Sequence, residues 1–241
     1  MNPAPTLNPV PMLTAFAYGH ADLPDVFRSL VSYDNWLAPI GAAGEYPPRE
    51  LWLFTDEDAV RRAAVPGTRL GDLACNQRGR DLFSRLDPSW IWVRINPVSP
   101  AEQTWNFPAE SFPLLQAWCK AIAFEDHLRT LQSSQPSQDR LFAEYPHFTV
   151  YLLDDGTILT MPNQANLKNP AVVVTAPDCG RQILKQVPEA IRARLSATDT
   201  SGSELVLKLP SQGVDGLLIN PAGPGPTYAV HLAPLEPSLA R

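Results

Sequence analysis

Two stretches decide how this chain reads: IWVRINP, Ile91 to Pro97, and DGLLINP, Asp215 to Pro221. In each, an apolar run stops at asparagine–proline. Proline has no amide to give a strand ladder, and it pushes the residue before it toward extended backbone. Both runs therefore read as strands that end at their asparagine. Asn96, Pro97, Asn220 and Pro221 are then loop-organising residues. Each asparagine, held extended, is expected to bond loop backbone through its side-chain amide.

The two corners have matching approaches. The first is GRDLFSRLDPSWIWVRINP, from Gly79, and the second is GSELVLKLPSQGVDGLLINP, from Gly202. Each reads as a short helix stopped by proline and followed by a buried strand. Further upstream, ELWLFTDED (Glu50–Asp58) lies over AVVVTAPDC (Ala171–Cys179). Both are apolar strands running into T-x-x-D, which predicts a threonine helix cap with an acid in the first turn. Past each corner, Thr104-Trp105-Asn106-Phe107 and Thr227-Tyr228-Ala229-Val230 predict a further short strand. The expected order in each half is strand, capped helix, second helix, strand, corner, strand.

The remaining segments fill out two units. Asp22 is positioned to cap a helix through Asn35, with Leu23, Val26, Phe27, Leu30 and Val31 on one face. Trp36 to Ile40 predicts a strand. A long helix is expected over 110–132, burying Leu114, Leu115, Trp118, Ile122 and Leu128. Phe148 to Met161 reads as a hairpin turning at Asp154-Asp155-Gly156. The expected organisation is a proline-rich segment over 1–21, a first unit over 22–132, a linker over 133–138, a second unit over 139–233 and a proline-rich tail over 234–241. The fold class is mixed α/β (α+β): two similar units in tandem, each a small mixed sheet flanked by helices.

Composition narrows the function. The net charge is −6 with scattered basic residues, which argues against a nucleic-acid surface. Twenty-six prolines, about twice the usual share of roughly 5%, put much of the chain in turns. The three cysteines, Cys75, Cys119 and Cys179, show no metal or disulfide spacing, so a reducing, cytoplasmic setting is expected. No basic residue precedes Arg28, so no secretory leader is expected. No apolar run reaches the roughly 18 residues of a membrane span.

DVFRSLVSYDNWLAPI (Asp25–Ile40), LWLFTDEDAVRRAAVPGTRLGDLA (Leu51–Ala74) and the segment ending WVRINP at Pro97 resemble the SseB-like N-terminal domain family. Phe27-Arg28, Pro39, Phe54-Thr55, Ala59 and Asn96 occupy the family's positions. Phe148 to Val230 resembles it more weakly, with Val174-Thr175 in place of Phe54-Thr55. The resemblance implies a small α/β module used for binding, associated by name with secretion. The family supplies no catalytic residues.

The chemistry-bearing residues read as structural. Cys179 in APDCGRQ sits at a helix start, but none of the four histidines, His20, His127, His147 and His231, forms a partner motif with it. Cys119 reads as core and His127 as surface. Asp56, Glu57 and Asp58 are first-turn acids that the helix dipole favours. NPAGPGPT lacks the lysine and following helix of a phosphate loop. No cofactor and no metal are expected.

All six tryptophans, Trp36, Trp52, Trp90, Trp92, Trp105 and Trp118, fall in the first half. They are expected to pack the first core; any left exposed would make a partner surface, for which Trp36, Trp52, Trp92, Trp105 and Tyr228 are the candidates. The expected function is a non-catalytic, cytoplasmic protein-binding module acting as an adaptor, a secretion-associated or chaperone-like factor, or a toxin-immunity protein. Its partner would be another protein, with neither nucleic acid nor membrane. The alternative is a small-molecule-binding protein or enzyme with its site at the seam between the units.

Overall fold

The computed structural model describes residues 8–39, 49–63, 74–130, 145 and 147–232. The chain is mixed α/β and divides into two compact units, Met1–Ala123 and Phe124–Arg241. The linker expected over 133–138 lies outside the described residues. The division between the two compact units falls inside the helix Phe112–Thr130.

The first unit opens with α1 (Val10–Ala17), whose Pro11 sits in the first turn, where its missing amide costs nothing. This helix lies within the segment read only as proline-rich; its apolar run carries little polar periodicity. Helix α2 (Leu23–Ser32) follows, with the Asp22 amide donating to the Asp25 carboxylate at 3.3 Å. Val26, Phe27, Leu30 and Val31 are buried on one face of α2. The helix stops before the expected Asn35 because Tyr33 is already extended.

The strands of this unit are β1 (Trp36–Pro39), β2 (Glu50–Leu53), β3 (Ala74–Gln77), β4 (Trp92–Ile95) and β5 (Trp105–Pro108). Helices α3 (Glu57–Ala63) and α4 (Gly79–Ser84) lie between them. Strand β4 is central: parallel to β2, with Leu53 beside Ile95, and antiparallel to β5, with Ile95 beside Trp105. Strands β1 and β3 pair antiparallel, and reciprocal bonds between Leu37 and Phe54, at 2.9 and 3.0 Å, link β1 to β2. Strand β3 was not expected; its sequence, ACNQ, is short and half polar.

One sheet face carries Leu53, Val93, Ile95 and Phe107, all buried. Phe27 lies between Phe107 and Trp118, at 5.6 and 6.2 Å centroid separations. Trp36, a candidate for a partner surface, is instead fully buried in the core. Its indole donates to the Leu30 carbonyl at 3.0 Å and meets Tyr33 and Phe83 edge-on.

Helix α5 (Phe112–Thr130) buries Leu115, Trp118, Ile122 and Leu128 as expected, but Leu114 is 44% exposed. Leu114 precedes Leu115 by one residue, about 100° around the helix, and falls outside the stripe. Phe124 and Leu128 belong to the second unit's core, with Tyr145 and Phe148.

The second unit holds β6 (Phe148–Leu152), β7 (Pro170–Val174), α6 (Pro177–Gln186), α7 (Glu189–Arg192), β8 (Ser196–Thr200), α8 (Gly202–Lys208), β9 (Gly216–Ile219) and β10 (Tyr228–His231). A five-stranded sheet runs β10-β9-β7-β6-β8, with β7 and β9 parallel and the other pairs antiparallel. The exposed strand β8, SATDT, carries no apolar alternation and was also not expected. Gly156, at φ +80°, makes the turn that returns Thr157 to Leu153. Strands β7 and β9 are buried at every position, unlike the half-buried alternation of β4.

Gly79 is required by close approach: a Cβ there would strike the Leu30 and Val31 carbonyls. Gly79→Ala is expected to lose about 2 kcal/mol in urea denaturation, by overpacking against backbone. Gly156→Ala faces open space and only its backbone angle, so about 1 kcal/mol is expected there.

Candidate functional site

Each asparagine–proline corner is a closed hydrogen-bonded clasp. Asn96 is fully buried, and its amide donates to the Leu53 carbonyl at 2.8 Å. Its Oδ1 accepts the Thr55 amide at 3.0 Å, and its Nδ2 donates to Thr55 Oγ1 at 3.0 Å and the Gln103 carbonyl at 3.3 Å. Thr104 Oγ1 donates to the Asn96 carbonyl at 3.1 Å. Tyr33 adds its hydroxyl to the Thr55 carbonyl at 2.8 Å.

Asn220 is likewise buried and bonded. Its amide donates to the Val173 carbonyl at 3.0 Å, and its Oδ1 accepts the Thr175 amide at 3.0 Å. Its Nδ2 donates to Thr175 Oγ1 at 2.9 Å, and Thr227 Oγ1 donates to its carbonyl at 3.0 Å. The other acceptor here is Glu125, fully buried on α5, which receives the Thr175 hydroxyl at 2.5 Å and Asn220 Nδ2 at 3.4 Å.

Two expectations are corrected by these bonds. Both asparagines stand at φ +47°, in the left-handed region and not extended. Asparagine tolerates that region better than other residues with a Cβ, and the proline preference gives way to the buried bonds. Nor do Thr55 and Thr175 cap helices. Asp56 caps α3, accepting the Ala59 amide at 2.8 Å, while α6 starts from Ala176 without a side-chain cap.

Sequence reading missed Glu125, although a signal existed. It lies three residues after Ile122 and three before Leu128, on the apolar stripe of α5, where a carboxylate must find donors.

Among the described side chains, the thiols lie inside and the histidines outside. Cys179 is fully buried with Sγ 3.9 Å from Glu125 Oε1, and Cys119 is buried. Burial, and then Asp81, push the Cys119 thiol up to about 12. His20, His127, His147 and His231 are all exposed. Among the described residues no group of three His, Cys, Asp or Glu side chains is gathered to hold a metal ion, and no helix is long and apolar enough to cross a membrane.

The other candidate is the sheet face opposite the first core. By register, Glu50 stands beside Trp92, Trp52 beside Arg94, and Arg94 beside Asn106, all on one face. Arg94 grips Glu50 in a fork, Nε to Oε2 at 2.7 Å and Nη2 to Oε1 at 3.0 Å. Trp52 donates its indole N–H to Glu50 Oε2 at 3.1 Å. The Arg94 guanidinium lies 5.6 Å from the Trp92 ring centre, and its Nη1 is 3.4 Å from Asn106 Oδ1.

Helix α3 covers one end of this face, packing Ala59, Val60 and Ala63 with Phe54 and Trp52. Beside it, sharing Trp52, is a shallow pocket of about 410 Å³ lined by Glu50, Trp52, Arg94, Pro97, Val98, Thr104 and Asn106. At the same registers the second unit has Val172, Leu218 and Ala229. Val172 is buried there against Tyr151, Cys179 and Ile183.

Of the aromatic candidates, the structure brings Trp52 and Trp92 together on this face. Trp105 points to the core side and lies under Phe16 of α1, at 4.8 Å. Tyr228 packs against the second core. The alternation in ELWL, WVRI and WNFP was the available signal for Glu50, Arg94 and Asn106.

No family model, no curated protein and no solved structure matches the chain.

The Arg94 hydrogen bonds hold the Glu50 carboxyl below the usual carboxylate range, against the opposing effect of burial. The unfolded chain therefore binds this proton more readily. The pair's contribution is complete above the unfolded carboxylate value, about 4.3, and is lost as pH falls through the lower folded value. Glu50→Gln is expected to cost about 2 kcal/mol at pH 7 and little at strongly acid pH, read from urea midpoints across pH. Asn96→Gly keeps the left-handed backbone but loses the clasp, with an expected loss of about 2 kcal/mol. Asn96→Ala adds about 1 kcal/mol of left-handed strain to that loss.

Proposed function

We propose that the chain is a pair of similar SseB-like α/β units in tandem, working as a non-catalytic protein-binding module whose contact surface is the open face of β2, β4 and β5. The shared bonding supports the tandem reading. The Gly79 amide donates to the Tyr33 carbonyl at 2.7 Å, and the Gly202 amide to the Tyr145 carbonyl at 2.9 Å. Tyr33 meets Trp36 edge-on and Tyr145 meets Phe148 edge-on, at the same sequence spacing. The two asparagine clasps share the bonds from the asparagine amide, to its Oδ1 from the threonine amide, from its Nδ2 to the threonine hydroxyl, and to its carbonyl from the returning threonine.

One observation carries the binding reading: Trp52 and Trp92 lie half-buried on either side of a closed ion pair, on a face whose second-unit counterpart is apolar and buried. Large, stiff aromatics at low entropic cost are what interfaces use as anchors. The buried thiols and the exposed, scattered histidines favour binding over turnover. Cys119 and Cys179, both buried as thiols, accord with a cytoplasmic setting, where an adaptor, a secretion-associated factor or an immunity protein would meet its partner.

A photo-crosslinking amino acid at exposed Asn106, introduced in the native host, tests this. One discrete protein partner is expected to cross-link, and its purified form to bind the chain. Trp92→Ala should weaken that binding about thirtyfold, the roughly 2 kcal/mol of a hot spot. Asn106→Arg, which leaves the core untouched, should weaken it as well. Binding indifferent to both substitutions, or a catalytic turnover abolished by Cys179→Ala, would overturn the reading.

A further inference from the structure

We infer that the pocket on the first unit takes an uncharged, apolar side chain of the partner polypeptide, with Val98 as the residue that grips it; this rests on the protein-binding reading above. Charge decides the class of occupant. Among the described residues that line the pocket Arg94 is the one cation, and both oxygens of Glu50 already hold its Nε and Nη2. The two side chains are only 33% and 12% exposed, so the pair is closed and largely shielded. An incoming carboxylate would meet Glu50, and an incoming ammonium would meet Arg94. Neither would gain enough to replace its water.

The walls suit an apolar group. Trp52, Pro97 and Val98 supply carbon surface, while the Thr104 hydroxyl is turned to the carbonyls of Asn96, Ser99 and Pro100. Asn106 meets Arg94 through its Oδ1, which leaves its Nδ2 to donate to a backbone carbonyl flanking the bound side chain.

Val98 is the independent observation. It is β-branched, stands at φ +70° and is 69% exposed. That backbone is costly for a branched residue, and exposure returns no burial to offset the cost. The second unit resolves the same corner differently: Ala222 follows Pro221, and the left-handed turn falls on Gly223, at φ +69°. The first unit keeps an isopropyl group on the pocket rim where glycine would relieve the backbone. A contact made to a ligand accounts for that choice.

The test uses the full chain and three probes, N-acetyl-leucinamide, N-acetyl-aspartamide with a free side-chain carboxylate, and N-acetyl-lysinamide. Binding is followed by NMR at the Trp52 and Trp92 indole N–H groups and the Asn106 side-chain amide. The leucine probe is expected to shift these signals saturably, and the charged probes to leave them unmoved. Val98→Gly should weaken the leucine probe about fivefold while raising or preserving the urea midpoint. A charged probe binding as tightly, no saturable response to the leucine probe, or unchanged affinity in Val98→Gly would each overturn the inference. A cross-linked partner that needs this face while the leucine probe fails would sink the pocket's chemistry alone. A leucine probe that binds while no protein cross-links would sink the protein-binding reading and leave the pocket standing.

Discussion

The structure of each unit depends on one buried side-chain amide. Parallel strands end together, and at their carboxyl ends the ladder must stop while its next amide is still buried. In the first unit that amide belongs to Thr55, in the second to Thr175. Asparagine carries on its side chain the donor and acceptor of a peptide group. Asn96 and Asn220 therefore extend the ladder by one step after their own backbone has turned away. The left-handed backbone costs about 1 kcal/mol, and several buried bonds of about 1 kcal/mol each offset it. Proline beside each asparagine stiffens the exit, and the hydroxyl of the threonine just before the returning strand ties off the asparagine carbonyl.

The two clasps differ in where the second amide proton goes. In the first unit it meets the Gln103 carbonyl, a neutral acceptor from the same loop. In the second it meets Glu125, a carboxylate carried by α5. A buried carboxylate is tolerable only where donors surround it, and the Thr175 hydroxyl, Asn220 amide and Cys179 thiol converge on one of its oxygens. Gly225 leaves the space this requires, since a Cβ there would strike both Asn220 Nδ2 and Glu125 Oε1. Burial, and then the Glu125 charge, raise the pKa of nearby Tyr145. This corner therefore couples a helix to a strand exit through a charge.

The sheets differ in a second way that bears on function. Continuous burial of β7 and β9 means both faces of these two central strands are covered, the usual condition of parallel strands. The alternation of β4 means that only one face of the first unit's sheet is core. Its other face carries polar and aromatic side chains paired among themselves. Glu50 and Arg94 satisfy each other's charge there, and Trp52 and Trp92 keep part of their ring surface accessible.

From the residues alone came the mixed α/β class, the strands at both asparagine–proline corners, the short helices from Gly79 and Gly202, and the buried stripe of α5. Local pattern carries these, because burial period and proline chemistry act within a few residues. Strands β3 and β8 escaped notice because pairing with β1 and β6, across long sequence distances, holds them and their own composition does not. The threonines of T-x-x-D look like caps locally. Only the folded sheet brings Asn96 within 3.0 Å of Thr55, and that distant partner outcompetes the helix end. The same holds for the tryptophans: their number was plain in the chain, but packing sent Trp36 inward and left Trp52 and Trp92 beside Arg94. Tertiary structure decided which side chains share a face, since strand register and helix cover are set by contacts between segments and no local pattern encodes them.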